Sequence, residues 1–176
     1  MVDHPSIKIK LNTAFDENFN TTEFDHIFYS GPIDKFFNYK YGRLTYRTVT
    51  FEKFVDEGDH QGNAVINYAD EAVKYTRVHE HKHFTPWENH DKTVYFREYS
   101  KETEPEDIPY YPKRLANDME ILQRYQNDVN KLENYSFIGR LATYRYLDMH
   151  HVINESIQTA KEFVDRINSE RSFQEA

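Results

Sequence analysis

The densest run of chemically capable side chains is Tyr75-Thr76-Arg77-Val78-His79-Glu80-His81-Lys82-His83-Phe84. Side chains alternate on an extended backbone, so Tyr75, Arg77, His79, His81 and His83 would share one face. Three imidazoles at i, i+2 and i+4 could hold zinc with an open fourth position. Same-face neighbours on a strand stand about 6–7 Å apart, which suits two ligands and makes three on one strand awkward. The plainer alternative is a solvated or partly paired sheet face, and no metal site is expected. Arg77, beside a tyrosine on that face, fits a phosphate, because a guanidinium fork matches two phosphate oxygens.

A second cluster runs from Gly139 to Met149 as Gly-Arg-Leu-Ala-Thr-Tyr-Arg-Tyr-Leu-Asp-Met. A strand ending in Gly-Arg and turning into a helix capped by Asp148 gathers backbone N–H groups at an apex, a seat for an anion or a cofactor edge. An ordinary strand-loop-helix crossover is the equal alternative. A third candidate is Asp107-Ile108-Pro109-Tyr110-Tyr111-Pro112, where prolines stiffen the backbone and limit the entropy lost in aiming a phenol, or where the tyrosines simply pack. The stretch Lys40 to Thr48 mixes cations with phenols, as solvent-facing hairpins often do. Asn67 could read hydroxyl groups or satisfy the sheet ladder. No Ser/His/Asp spacing and no carboxylate pair stands out.

The elements that must carry these groups change character along the chain. Alternation predicts strands at residues 6–11, 26–30, 36–54 (broken at Gly42), 63–68, 75–84 and 93–99, separated by a polar loop at 12–22, a turn at 31–34 and a connector at 56–62. Short turns between extended segments imply an antiparallel sheet. After the proline-bearing linker at 103–112, helical spacing appears at Leu115, Met119, Leu122, Val129 and Leu132. A short strand follows at 134–138, then a helix whose apolar face would be Ile153, Ile157, Ala160, Val164 and Ile167. The tail from Arg171 is expected to fray. Single strands at Ile7 to Leu11 and Tyr135 to Ile138 resemble pieces of a sheet lacking other members, since a lone strand leaves both edges unpaired.

Composition narrows the function. The 176 residues hold 22 Lys+Arg against 30 Asp+Glu, a net charge of −8, which disfavours nucleic acid and membrane surfaces as partners. Apolar runs are short and no signal-peptide pattern opens the sequence, so a cytoplasmic location is expected. The absence of cysteine removes disulfides, thiol catalysis and thiolate metal sites. Five glycines spell no dinucleotide or phosphate loop. Mean hydropathy is low at −0.90, but 14 Tyr and 13 Phe mark a chain that folds, with amphipathic rings expected on a half-wet sheet surface.

These pieces form an ordered set: Tyr29-Ser30-Gly31-Pro32-Ile33-Asp34; Tyr41-Gly42-Arg43-Leu44 with Tyr46-Arg47-Thr48; Gln61-Gly62-Asn63-Ala64-Val65-Ile66-Asn67-Tyr68; Tyr75-Thr76-Arg77 through His83-Phe84; Pro109-Tyr110-Tyr111-Pro112; and Gly139-Arg140-Leu141 with Tyr144 and Tyr146-Leu147-Asp148-Met149. In this order and spacing they resemble the C-terminal half of bacterial UDP-galactopyranose mutases. The resemblance implies an α+β fold: an antiparallel sheet of mixed strand lengths followed by two C-terminal helices, completing an FAD-binding α/β domain. It divides the chain into end pieces of the FAD-binding sheet (1–34), the sheet of a substrate domain (35–105), and linker, helix, strand and final helix of the FAD-binding domain (106–176).

Members of that family are flavoenzymes that interconvert UDP-galactopyranose and UDP-galactofuranose through a covalent adduct between reduced flavin N5 and the sugar. By the same resemblance Arg77 is the catalytic residue, clamping the diphosphate. Tyr111 and Tyr146 donate their phenols to the phosphates with Asp148 beside them, Asn67 lies against galactose, and Arg47 stands near flavin and substrate. Gly139, Arg140 and the Met149 backbone face FAD. The Gly-rich FAD fingerprint, the uridine-binding helical domain and the partner arginine belong to the family's N-terminal half. The implied protein partner is therefore a complementing N-terminal half, or a second copy in a homodimer as in the family. A remnant or split subunit that binds a sugar nucleotide or a protein without turnover, and a structural β-rich module, are the alternatives.

Overall fold

A computed structural model describes residues 2–16 and 18–174. Five strands form one antiparallel sheet in the order β3-β4-β5-β2-β6: β2 (Tyr46–Glu57), β3 (Val65–Asn67), β4 (Arg77–Glu80), β5 (Lys92–Glu102) and β6 (Tyr111–Pro112). Its spine is the β2–β5 ladder, registered from Arg47 opposite Glu102 to Glu57 opposite Lys92. β4 and β3 extend it on one side, and the two residues of β6 pair with Tyr46 and Arg47 on the other. The Pro109 to Pro112 stretch thus becomes a sheet edge, where a residue without an N–H is tolerated.

A separate two-stranded parallel pair joins β1 (Ile27–Tyr29) to β7 (Tyr135–Phe137). Ile27 N–H donates to Asn134 O and Ile138 N–H to Tyr29 O, each at 2.9 Å, which continues the pairing at both ends. Residues 6–11, expected as a strand, carry no strand structure: Ile7, Ile9 and Leu11 are exposed, and among the described residues no neighbouring edge receives them. Alternating Lys and Ile supplies a pattern, but a strand exists only where its N–H and C=O groups find partners. Residues 36–45 also differ from expectation. α1 (Ile33–Phe36) and a turn with Asn38 and Tyr39 at positive φ replace the front of the predicted strand.

The helices are α2 (Ala116–Val129), α3 (Gly139–Ala142) and α4 (Met149–Gln174). The tail expected to fray from Arg171 is helical to Gln174; residues 175 and 176 lie outside the described residues. α4 turns a different face inward from the one its spacing suggests. Val152, Ser156, Thr159 and Phe163 are partly buried, with Phe163 against the rings of His26 and Phe28, whereas of the expected face Ile153, Ile157, Ala160 and Val164 are exposed and Ile167 is partly buried.

The core is tyrosine-rich. Ile33, Leu44, Tyr46, Leu122, Tyr125 and Tyr144 are buried together, so these three phenols lie in the core rather than on the half-wet sheet surface expected for most of the rings. Each phenol of this cluster needs a partner, and it has one. Tyr125 donates to Gly42 O at 2.8 Å; Tyr144 lies 2.6 Å from Thr45 O and 2.8 Å from Asp118 Oδ2. Asp118, 1% exposed, also accepts from Thr45 N–H, the Thr45 hydroxyl and Leu115 N–H. The last of these is the N3 side chain of α2 reaching back to the backbone N–H of its N-cap residue, Leu115. One carboxylate therefore ties together α2, the start of β2 and the loop after α3.

Candidate functional site

Arg77 projects from β4 between two register partners, Asn67 on β3 and Glu98 on β5. Its Nε–H donates to Asn67 Oδ1 at 2.7 Å, and its Nη1 lies 3.7 Å from Glu98 Oε2. Glu98 is nearly buried and its Oε2 accepts from His79 Nε2 at 2.8 Å. The guanidinium is thus oriented by an amide and attracted by a carboxylate without being closed on by either.

Arg47, at the start of β2, donates through Nε to the Ser100 hydroxyl at 2.8 Å and through Nη1 to Glu102 at 3.0 Å. Its partner across the β2–β6 ladder is Tyr111. Lys113 reaches both oxygens of Glu102 at 2.9 and 2.8 Å. Together with Arg47 it holds that carboxyl below the usual range, Lys113 being the larger influence.

Tyr146 belongs to the loop between α3 and α4. Asp118 and Arg114 fix that loop at Tyr144, whose φ of +50° is unusual for a bulky residue; Arg114 Nη1 donates to Tyr144 O at 2.7 Å. The Tyr146 ring stacks on Tyr111 with centroids 5.7 Å apart. Arg140 lies 5.0 Å from both ring centroids and grips Leu147 O through Nε and Nη2. Cation–π attraction and a backbone hydrogen bond thereby hold two tyrosines from distant parts of the chain as one unit.

An open depression of about 450 Å³ draws on Arg47, Arg77, Glu98, Tyr111, Lys113 and Tyr146. Four expected residues, Arg47, Arg77, Tyr111 and Tyr146, converge there. Asn67 stands behind Arg77 and Arg140 beneath the tyrosines. Asp148 and Met149 are exposed at the start of α4, where Asp148 O accepts from Val152 N–H at 3.1 Å. Gly139 opens α3 at φ +79° and lines a different depression with Arg145 and Glu155. Glu98 and Lys113 are absent from the sequence expectations. Glu98 enters through its register opposite Arg77, and Lys113 through the proximity of β6 to β2, neither of which local spacing reveals. A larger cavity of about 580 Å³ beside Asp34, Tyr39 and Pro109 contains none of the expected site residues.

The three imidazoles do not share a strand face. β4 ends at Glu80, and His81 and His83 lie in a 3-10 turn, His81–Phe84. Glu80 dictates the break, because its fully buried carboxylate turns back to accept from the His60, Gln61 and Gly62 N–H groups and the Thr93 hydroxyl. Burial would raise its pKa, but these donors prevail and hold it at about 2. Asp59, Glu80 and His83 come close together, yet Lys82 Nζ sits 2.6 Å from Asp59 and donors occupy Glu80, so the group is a charge-paired clamp on the 58–62 loop.

Among the described residues no helix is long and apolar enough to cross a membrane. The profile of a family described as UDP-galactopyranose mutase matches residues 1–146. A probable UDP-galactopyranose mutase of Klebsiella pneumoniae is 47% identical over 167 residues, 95% of this chain and 43% of that protein. A dTDP-fucopyranose mutase of Escherichia coli is also 47% identical, over 93% of this chain and 45% of its own. A UDP-galactopyranose mutase of Mycoplasma pneumoniae is 32% identical over similar shares. The chain spans less than half the length of these relatives. On the profile match and on these identities, the chain belongs to the UDP-galactopyranose mutase family.

Proposed function

We propose that this chain forms the diphosphate-binding wall of a flavin-dependent mutase that interconverts UDP-galactopyranose and UDP-galactofuranose, working with a complementing N-terminal half. The observation that carries this reading is the convergence of Arg47, Arg77, Tyr111 and Tyr146 on one open depression. Arg77 offers a guanidinium fork, and the two phenols offer donors that strengthen as charge moves onto the departing diphosphate. Arg47 and Lys113 share one carboxylate, Glu102, and so add one net positive charge in a chain of net charge −8. Asn67 holds Arg77 in direction and stands where it can meet a sugar hydroxyl.

The start of α4 suits FAD. The backbone N–H groups at its first turn, beginning at Met149, lie just after Tyr146, as a polar cofactor edge requires. Reduced FAD, when bound, would supply the nucleophile for the anomeric carbon. Arg140 links that end to the substrate end through the tyrosine stack. The exposed stripe of Ile153, Ile157 and Val164 on α4 supports a covering partner.

The test is complementation. The chain is mixed with the N-terminal part of a relative, FAD and dithionite, and UDP-galactofuranose conversion is followed by chromatography. Turnover that falls by roughly 10²–10³ in Arg77→Ala supports the reading, by analogy with removing one transition-state charge donor; unchanged turnover in that variant overturns it. A dTDP-hexose substrate is the second reading, favoured by the equal identity to the dTDP-fucopyranose mutase. Competition between UDP-galactose and dTDP-fucose in the same assay separates the two.

A further inference from the structure

Arg77 and His79 leave β4 on the same face, and Glu98 stands directly across the ladder from Arg77. A carboxylate opposite an arginine ordinarily closes on it as a two-pronged pair. Glu98 instead leans diagonally: its Oε2 is 2.8 Å from His79 Nε2 and 3.7 Å from Arg77 Nη1. A carboxylate only accepts, so Nε2 carries the proton in this pair. Among the described residues Arg77 makes its hydrogen bond through Nε, to Asn67, leaving both Nη groups for a ligand.

We propose that His79 is a positioning residue that draws Glu98 aside and so keeps the Arg77 fork open for a nucleoside diphosphate. The ligand in this proposal rests on the diphosphate reading above. Glu98 is 6% exposed, so water cannot satisfy its charge and the carboxylate takes the nearest donor. With the imidazole present that donor is His79, held beside the Phe51 ring. With it gone the nearest donor is Arg77, and the carboxylate closes on the fork. Glu98 therefore attracts the guanidinium into place only as long as His79 competes for it. A packing role for His79 would give no reason for a second substitution, at Glu98, to undo the loss of the first.

Two readouts on the 176-residue chain test this. The first needs no ligand: the rate of rotation of the Arg77 guanidinium, followed by 15N NMR. It should slow by about tenfold in His79→Phe, as expected for a new charge-assisted pair, and recover in His79→Phe/Glu98→Gln. His79→Gln, which keeps an N–H donor, should behave as the parent. The second is UDP affinity by calorimetry, which should fall about tenfold in His79→Phe and return in the double variant. Unchanged rotation in His79→Phe, or a double variant that rotates no faster than the single, overturns the proposal. If the parent chain does not bind UDP even when complemented with the N-terminal half, the diphosphate reading fails and the rotation rates still decide the role of His79. Should His79→Phe fail to fold, His79→Asn, whose amide falls short of Glu98, takes its place.

Discussion

The rings of Tyr111 and Tyr146 stack at 5.7 Å and 23°, one on the edge strand β6 and the other on the loop into α4. Neither element holds its tyrosine alone, since β6 has two residues and the Tyr146 ring is 62% exposed. Arg140, equidistant from both rings, supplies the missing constraint.

Arg140→Ala should therefore leave the fold intact and loosen the pair. The expected stability loss is about 1–2 kcal/mol, from a cation–π contact and a hydrogen bond to Leu147 O. The near-UV circular dichroism of the tyrosines should weaken, and UDP affinity should fall several-fold. Arg140→Lys should recover little of either, because an ammonium cannot span both rings and the carbonyl. A near-UV spectrum identical to the parent's would remove Arg140 from this role.

Asp118→Ala should be the most damaging single change considered, since it strips an acceptor from Thr45 N–H, the Thr45 hydroxyl and Leu115 N–H and leaves Tyr144 without its carboxylate neighbour. Buried donors left without partners cost roughly 1–3 kcal/mol each, in part relieved by water, so a loss of about 3 kcal/mol is expected in urea titration. Asp118→Asn keeps one acceptor oxygen and should lose less.

Acid and alkali should unfold the protein through different groups. Glu80 is held at about 2 from an ordinary 4.5, so its contribution is complete above pH 4.5 and disappears as pH falls toward 2. Tyr29 and Tyr144 are pushed up to about 12 from 10, chiefly by burial. Their contribution is complete below pH 10 and is lost as pH rises toward 12. Glu80→Gln should flatten the acid limb of stability against pH and leave the alkaline limb in place; an unchanged acid limb would assign acid unfolding to other carboxylates.

Gly139→Ala should cost about 1 kcal/mol by thermal melting, although space is available: the added Cβ meets only Val152 Cγ1, at 3.8 Å. The penalty comes from the backbone, whose φ of +79° an L side chain resists. A substitution without cost would mean that the start of α3 relaxes freely.

How much was legible depended on the range of the interaction that decides each feature. Pro112, expected in a linker, becomes a sheet edge only by pairing with β2; Gly139 and the apolar spacing of α2 act within a few residues, and their turn and helix are visible in the chain itself. So are Arg77, Tyr111 and Tyr146 as candidates, because they stand in ordered motifs that resemble a known family. The strand at Ile7 to Leu11, the shared face of three histidines and the inward face of α4 follow from local pattern, and tertiary structure overrides each: among the described residues no sheet edge receives the first, the N–H groups that Glu80 captures break the second, and Phe28 with His26 beneath Phe163 turn the third. The sequence by itself determined that Arg77 offers a fork matching a phosphate, since that follows from residue type, whereas Tyr111 and Tyr146 are diphosphate candidates only through the resemblance. Only the tertiary structure decided that they meet, and that His79 rather than Arg77 takes Glu98, because register and burial set the distances over which charges compete.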